Sequence, residues 1–271
     1  MSSVEAAARP AAGPASPPVA LAGQVVLDAS RPLRVTHLTP AARRLTLAVV
    51  SIRWLHAQTP AALAALRSRH LTAAETVLAA DLRAPRRRHE WLAGRLALKH
   101  AVSAHAGRHW GRTREPRAIE VHTVVGGIQA GKPVVDAPVE VGLTHSGDFA
   151  VAVCGPHAIG VDLEHDRPMP PTLSGVLARE CDPRASAPDA RRLATMPPAL
   201  RWTCKEAVLK YYGFGLRVDA REVALTGWHP DGHFTWRPGG GLLRHAPAAE
   251  VHRPTGWAGE VHGHYLALVG R

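Results

Sequence analysis

The chain has 271 residues, 46% apolar and 20% charged: enough for one large or two ordinary domains, and too apolar for a disordered chain. Its 33 Lys and Arg against 22 Asp and Glu give a net charge of +11, which favours acidic partners: nucleic acid, an anionic membrane, a phosphate-rich ligand or an acidic protein. Three cysteines without a CxxC pair exclude a paired disulfide framework and a zinc ribbon, and no apolar run reaches the roughly 20 residues of a membrane span.

Residues 1–40, rich in Ala, Pro and Ser, read as a disordered N-terminal arm. Residues 45–54 crowd β-formers (Leu45, Leu47, Val49, Val50, Ile52) and read as a strand. Residues 59–66 and 72–82 read as helices, the second opened by Thr72 and Glu75 at capping-box spacing. A helix over 87–104 follows, with good helix formers throughout. Short strands at 119–125, 139–144, 150–154 and 159–163 are separated by Gly and Pro. Segments 172–180 and 189–195 read as helices. A helix over 198–212 starts at prolines and stops at Gly213. The tail, 222–269, reads as short strands with Gly and Pro turns. The 17 histidines contain no HExxH; His105 and His109 share helical spacing but read as solvated.

An internal repeat connects these elements. Trp91, Gly94-Arg95 and Lys99 match Trp202, Lys205-Glu206 and Lys210 in spacing, at an offset of 111 residues (202 − 91). The same offset carries Val49-Val50-Ser51-Ile52 onto Gly160-Val161-Asp162-Leu163. The expected fold is α+β: two similar halves, 41–157 and 158–271, about a pseudo-two-fold axis, with a site in the cleft between them.

Asp162 and Glu164 stand two apart at a strand end and so share a face. They suit a hard cation, or simply an exposed strand end. Trp202, Glu206 and Lys210 share one helix face, as a site or as a buried anchor with a solvated ion pair. Gly131-Lys132-Pro133 and Thr144-His145-Ser146-Gly147 are turns or strand ends able to meet phosphate or merely to meet water. Arg95 and Lys99 share a helix face behind Arg86-Arg87-Arg88.

Taken in order, these motifs resemble the 4′-phosphopantetheinyl transferases of the Sfp type, over roughly residues 45–220. Gly160-Val161-Asp162-Leu163-Glu164 followed by Trp202-Thr-Cys-Lys205-Glu206-Ala-Val-Leu-Lys210 is the specific pair; Gly213-Phe-Gly215-Leu216 supports it. The length and repeat set the chain apart from the smaller, trimeric holo-acyl-carrier-protein synthases. The resemblance implies transfer of the phosphopantetheine arm of coenzyme A to a serine of an apo acyl or peptidyl carrier protein of polyketide, nonribosomal peptide or fatty-acid synthesis, releasing adenosine 3′,5′-bisphosphate.

By the same resemblance Asp162, Glu164 and Glu206 hold Mg²⁺ (or Mn²⁺). Lys210, assisted by Lys205, lies against the pyrophosphate, and Lys132, Pro133, Thr144 and His145 lie about the nucleotide phosphates. Arg95, with Lys99 or Arg88, takes the 3′-phosphate, a role suited to guanidinium. Thr144 stands where the family usually has Ser. The family's carboxylate base falls at Asp182 by ungapped counting, with Glu180 two residues earlier. The thiol of coenzyme A does not react, so Cys204 reads as packing. The expected protein is a cytoplasmic monomer that needs neither nucleic acid nor membrane. Its segment 83–117, with ten Lys or Arg against two acids, carries +8 of the charge. That segment would steer coenzyme A and an acidic carrier. A nucleic-acid module built on it would have no use for three converging carboxylates, which repel phosphate.

Overall fold

The computed structural model describes residues 21–39, 44–178 and 187–271. Strands β1 (Leu33–His37) and β2 (Thr46–Ser51) run antiparallel. Every residue of β2 is buried, so Leu47, Ala48, Val49 and Val50 form an unbroken apolar run rather than an alternating one. The strand stops at Ser51, whose hydroxyl accepts the N–H of Trp54 and caps the short helix α1 (Ile52–His56). The strand expected over 45–54 is therefore shorter: a serine cap overrides the β-forming Ile52 and Trp54. Helices α2 (Pro60–His70) and α3 (Ala73–Asp81) follow, and the Thr72–Glu75 capping box closes α3 reciprocally. The long helix α4 (Pro85–Trp110) ends at Gly111 in the left-handed conformation. A small ribbon of β3 (Val121–Thr123) and β4 (Pro133–Val135) leads into the hairpin β5 (Glu140–Ser146) and β6 (Phe149–Gly155). The first sheet has the order β1-β2-β6-β5, and α4 covers one face, packing Leu92, Leu96 and Val102 on Ala48, Val50, Ala150 and Ala152.

The second half repeats the plan. Strand β7 (Ile159–His165) precedes helices α5 (Pro171–Ala178), α6 (Pro188–Thr195) and α7 (Pro198–Tyr211). Then come β8 (Val223–Trp228), β9 (His233–Pro238), the one-turn helix α8 (Gly240–Leu243), β10 (Thr255–Val261) and β11 (His264–Gly270). Their sheet has the order β7-β11-β10-β9-β8. In each half the strand that leads into the helices pairs with the last strand and the last with the one before it: β2 with β6 and β6 with β5, β7 with β11 and β11 with β10. Strands β10 and β11 begin 115 residues after β5 and β6 (255 − 140 and 264 − 149). The repeat read from two helices thus extends to the pairing of the strands. Helix α7 approaches β7 so closely at Gly160 that any Cβ there would strike the Ala207 carbonyl.

The inner faces of the two sheets share one core: Leu47, Val49, Val151 and Val153 meet Val161, Leu163, Leu266 and Leu268. Helices α4 and α7 lie outside. At the seam β5 runs beside β7 without a backbone ladder. Hydroxyls take its place: the N–H of Leu163 donates to Thr144 Oγ1 (3.2 Å) and the N–H of His165 to Ser146 Oγ (3.0 Å).

The disordered arm expected over 1–40 needs correction for residues 21–39. Strand β1 is part of the first sheet, and Val25, Leu27 and Leu38 are buried in the shared core. Leu33 and Val35 supply the alternation, which the Ala and Pro composition of the preceding residues obscured.

Candidate active site

The seam opens on one side into a cavity of about 500 Å³. One wall comes from the first half. Helix α4 presents Arg87, Trp91 and Arg95, spaced four apart on one face, and β5 presents Thr144 and His145. The other wall comes from the second half: Asp162 and Glu164 from β7, Glu206 and Lys210 from α7. Alternation along β7 sends Val161 and Leu163 into the shared core and Asp162 and Glu164 to the opposite face, towards α7.

Lys210 ties this second wall together. Its Nζ lies 2.5 Å from Asp162 Oδ1, 3.4 Å from Glu206 Oε2 and 3.4 Å from Thr144 Oγ1. Thr144 Oγ1 also donates to Asp162 Oδ1 (3.0 Å), and Ser146 Oγ donates to Glu164 Oε2 (3.2 Å). Burial raises the pKa of Glu206 to about 7, helped by the negative charge of Asp162 and opposed by Lys210. Burial, then Asp162, raises Glu164 as well. Burial works against the charge on Lys210, but Asp162 and Glu206 outweigh it and hold the amine above its ordinary value. Desolvation lowers His145, so its imidazole favours the neutral form more than a free histidine does.

A hard cation fits this donor set. Asp162 is 2% exposed, and its Oδ2 is buried with no hydrogen-bond partner. Two further carboxylates face the same space with pKa values raised by burial first and by the neighbouring Asp162 charge second. Among the described residues no three His, Cys, Asp or Glu groups stand as an assembled ligand cluster. Lys210 occupies the centre instead.

Residues 158–262 match the family model described as the 4′-phosphopantetheinyl transferase superfamily. The chain carries a domain of that superfamily. This domain spans the second wall of the cavity; Arg87, Arg95, Thr144 and His145 lie before it. A holo-(acyl-carrier-protein) synthase from Bacillus anthracis, solved in complex with CoA (3′,5′-ADP), is 23% identical, with a TM-score of 0.33. The match covers 41% of this chain and 91% of that one. No curated protein matches.

Of the residues expected at a transferase site, Arg95, Pro133, Thr144, His145, Asp162, Glu164, Glu206 and Lys210 line this cavity. Lys132 lines an adjoining one of about 190 Å³, which shares Lys210, Gly131 and Pro133 with the first. There its Nζ pairs with Glu140 (2.8 Å), and its chain packs under Gly213, whose φ of +77° ends α7.

Three expected phosphate contacts are corrected. Lys99 is fully buried, with Nζ on Glu75 Oε2 (2.6 Å) and the Ile119 carbonyl (2.7 Å). Lys205 is fully buried beneath α7 and donates to the carbonyls of Ala220 and Val223. Arg88 turns away to the Leu82 carbonyl (2.7 Å). Asp182 and Glu180 lie outside the described residues. The sequence reading passed over Arg87 and Trp91 as site residues, although counting back by four from Arg95 finds both. Cys154 and Cys204 are buried, and burial pushes the Cys154 thiol up to about 12, so neither supplies a nucleophile at neutral pH.

A second cavity, of about 540 Å³, adjoins the first through Glu164. Met169, Leu173 and Trp202 give it apolar walls.

Among the described residues no helix is long and apolar enough to cross a membrane.

Proposed function

We propose that the protein transfers the phosphopantetheine arm of coenzyme A to a serine hydroxyl of an apo acyl or peptidyl carrier protein. The observation that carries this reading is one cavity with guanidinium and imidazole groups on one wall, where the one carboxylate, Glu90, is paired with Arg86 and Arg87, and three carboxylates with a lysine on the other. A nucleotide with a phosphate monoester at one end and a pyrophosphate at the other matches that division.

Arg95 and Arg87 take the 3′-phosphate, Arg95 above the Trp91 ring at 5.1 Å. His145 and Thr144 line the path to the pyrophosphate. Lys132 stands on the nucleotide side in the adjoining cavity. Lys210 moves from Asp162 to the pyrophosphate and stabilises the negative charge that grows on the leaving group. Asp162, Glu164 and Glu206 would hold a divalent cation such as Mg²⁺, which would neutralise pyrophosphate charge when bound. The pantetheine arm follows Glu164 into the apolar second cavity.

In the reaction the serine oxygen attacks the phosphorus that carries the arm. The bond from that phosphorus to the bridging oxygen breaks, and adenosine 3′,5′-bisphosphate leaves with the electron pair. The serine proton passes to a carboxylate. Asp182 and Glu180 are the candidates, and full turnover by Asp182→Ala or Glu180→Ala would eliminate the residue concerned.

The decisive experiment incubates the protein with coenzyme A, Mg²⁺ and several apo carrier proteins and weighs the carriers. A gain of one phosphopantetheine mass is expected. No gain on any carrier type would overturn the reading.

A further inference from the structure

Arg95 does not stand alone in the cavity wall. Glu75, the third residue of α3, is 3% exposed and lies between two cations of α4. Its Oε2 is 2.6 Å from Lys99 Nζ and accepts the N–H of Thr72 at 2.9 Å. Its Oε1 faces Arg95 Nε at 3.7 Å. Both of these last atoms are buried, and neither has a hydrogen-bond partner.

This is more than a helix cap needs. A capping box requires only an acceptor for the N-cap N–H, which glutamine supplies as well as glutamate. It does not require burial against two cations. Without the carboxylate, Arg95 and Lys99, one turn apart, would repel each other, and Lys99 cannot leave a fully buried site. Arg95 would be the one to turn. With Glu75 on the Nε side and the Trp91 ring against one face, two constraints fix the guanidinium plane. Among the described residues its Nη atoms make no hydrogen bond. A guanidinium held from the Nε side presents its two Nη groups as a fork, the geometry that grips phosphate bidentately.

We propose that Glu75 is a positioning residue that aims Arg95 at a phosphate monoester and so makes the site select coenzyme A over its 3′-dephospho form. The proposal rests on the reading of Arg95 given under Proposed function. Glu75 itself touches no ligand.

The test measures dissociation constants for coenzyme A and 3′-dephospho-coenzyme A by calorimetry, with folding followed by circular dichroism. Glu75→Gln keeps the cap but strands both cations, so Glu75→Gln with Lys99→Met is the second variant, in which the fully buried Lys99 charge leaves with its partner and only Arg95 loses its carboxylate. The wild-type protein is expected to bind coenzyme A more tightly. The folded double variant is expected to lose about tenfold for coenzyme A, roughly 1.4 kcal/mol, with binding of the dephospho form unchanged. A merely structural role would lower the melting temperature and leave the ratio of the two constants at its wild-type value; that result overturns the proposal. Arg95→Ala separates the two readings. If it keeps the wild-type discrimination, the assignment of Arg95 fails and takes the proposal with it. If it abolishes discrimination while the double variant retains it, only the role of Glu75 fails.

Discussion

Glu206 is kept in an environment that disfavours its charge. Burial and the Asp162 carboxylate push its pKa up to about 7, and Lys210 compensates only in part. On the proposed reading, a site that receives a cation would carry such strain until the cation arrives. Glu206→Gln should therefore stabilise the metal-free protein, raising the melting temperature by about 2–4 °C for roughly 1 kcal/mol, while transfer to the carrier is lost. Thermal unfolding and carrier mass measured on the same sample check both halves of that expectation. At this scale spacing rules make four residues of the cavity wall legible in the sequence. Asp162 and Glu164 follow from strand alternation, and Glu206 and Lys210 from the helix face. Lys99 and Lys205 were not legible. A lysine on the correct helix face looks the same in sequence whether its amine reaches a ligand or a buried carbonyl. What decides is the depth of the neighbouring layer: Ile119 above α4, and Ala220 and Val223 beneath α7.

Helix α4 is held to its surroundings by pairs of imidazoles. His89 meets His56 of α1, His100 meets His70 of α2, and His105 and His109 gather with His37 of β1, bridged in part by Thr46 Oγ1. Arg44 and Arg108 add positive charge beside the last group, and Arg88 and Arg67 beside the first. Burial, then the neighbouring histidine, lowers His100 and His105 to about 4. The unfolded chain binds these protons near pH 6.5, the folded chain only near pH 4. Folding therefore releases protons as pH falls, and stability drops from about pH 7 down to about pH 4, below which it levels off. Each ring contributes on the order of 2 kcal/mol. Urea midpoints at pH 7 and pH 5 should differ clearly, and His100→Gln with His105→Gln should flatten the difference. The helix itself was readable from its formers and the α3 cap from its Thr-x-x-Glu spacing. The histidine pairs were not, because each joins elements distant in sequence: His70 and His100 are neighbours only once α2 has folded back.

At the scale of the whole molecule the charge is divided as the cavity is. The basic residues of 83–117 belong to the half that supplies Arg87 and Arg95, and three of the cavity's four carboxylates, all but Glu90, to the other. If that basic face steers an acidic carrier, rising salt should raise the carrier's KM and leave kcat nearly unchanged, since screening acts on approach and not on the enclosed cavity. Steady-state rates between low and moderate salt check this, and a constant KM would contradict it. The joining of the halves has a further consequence. They meet unlike edge to unlike edge, β5 of the first unit against β7 of the second. Such head-to-tail contact leaves one free copy of each edge, to which further units could add, closing a ring or running on. Here both loose ends are stoppered, the leading one by β1 and the trailing one by the β8–β9 hairpin. The additions that look like ornament on the repeat are what makes a two-link chain stop at two.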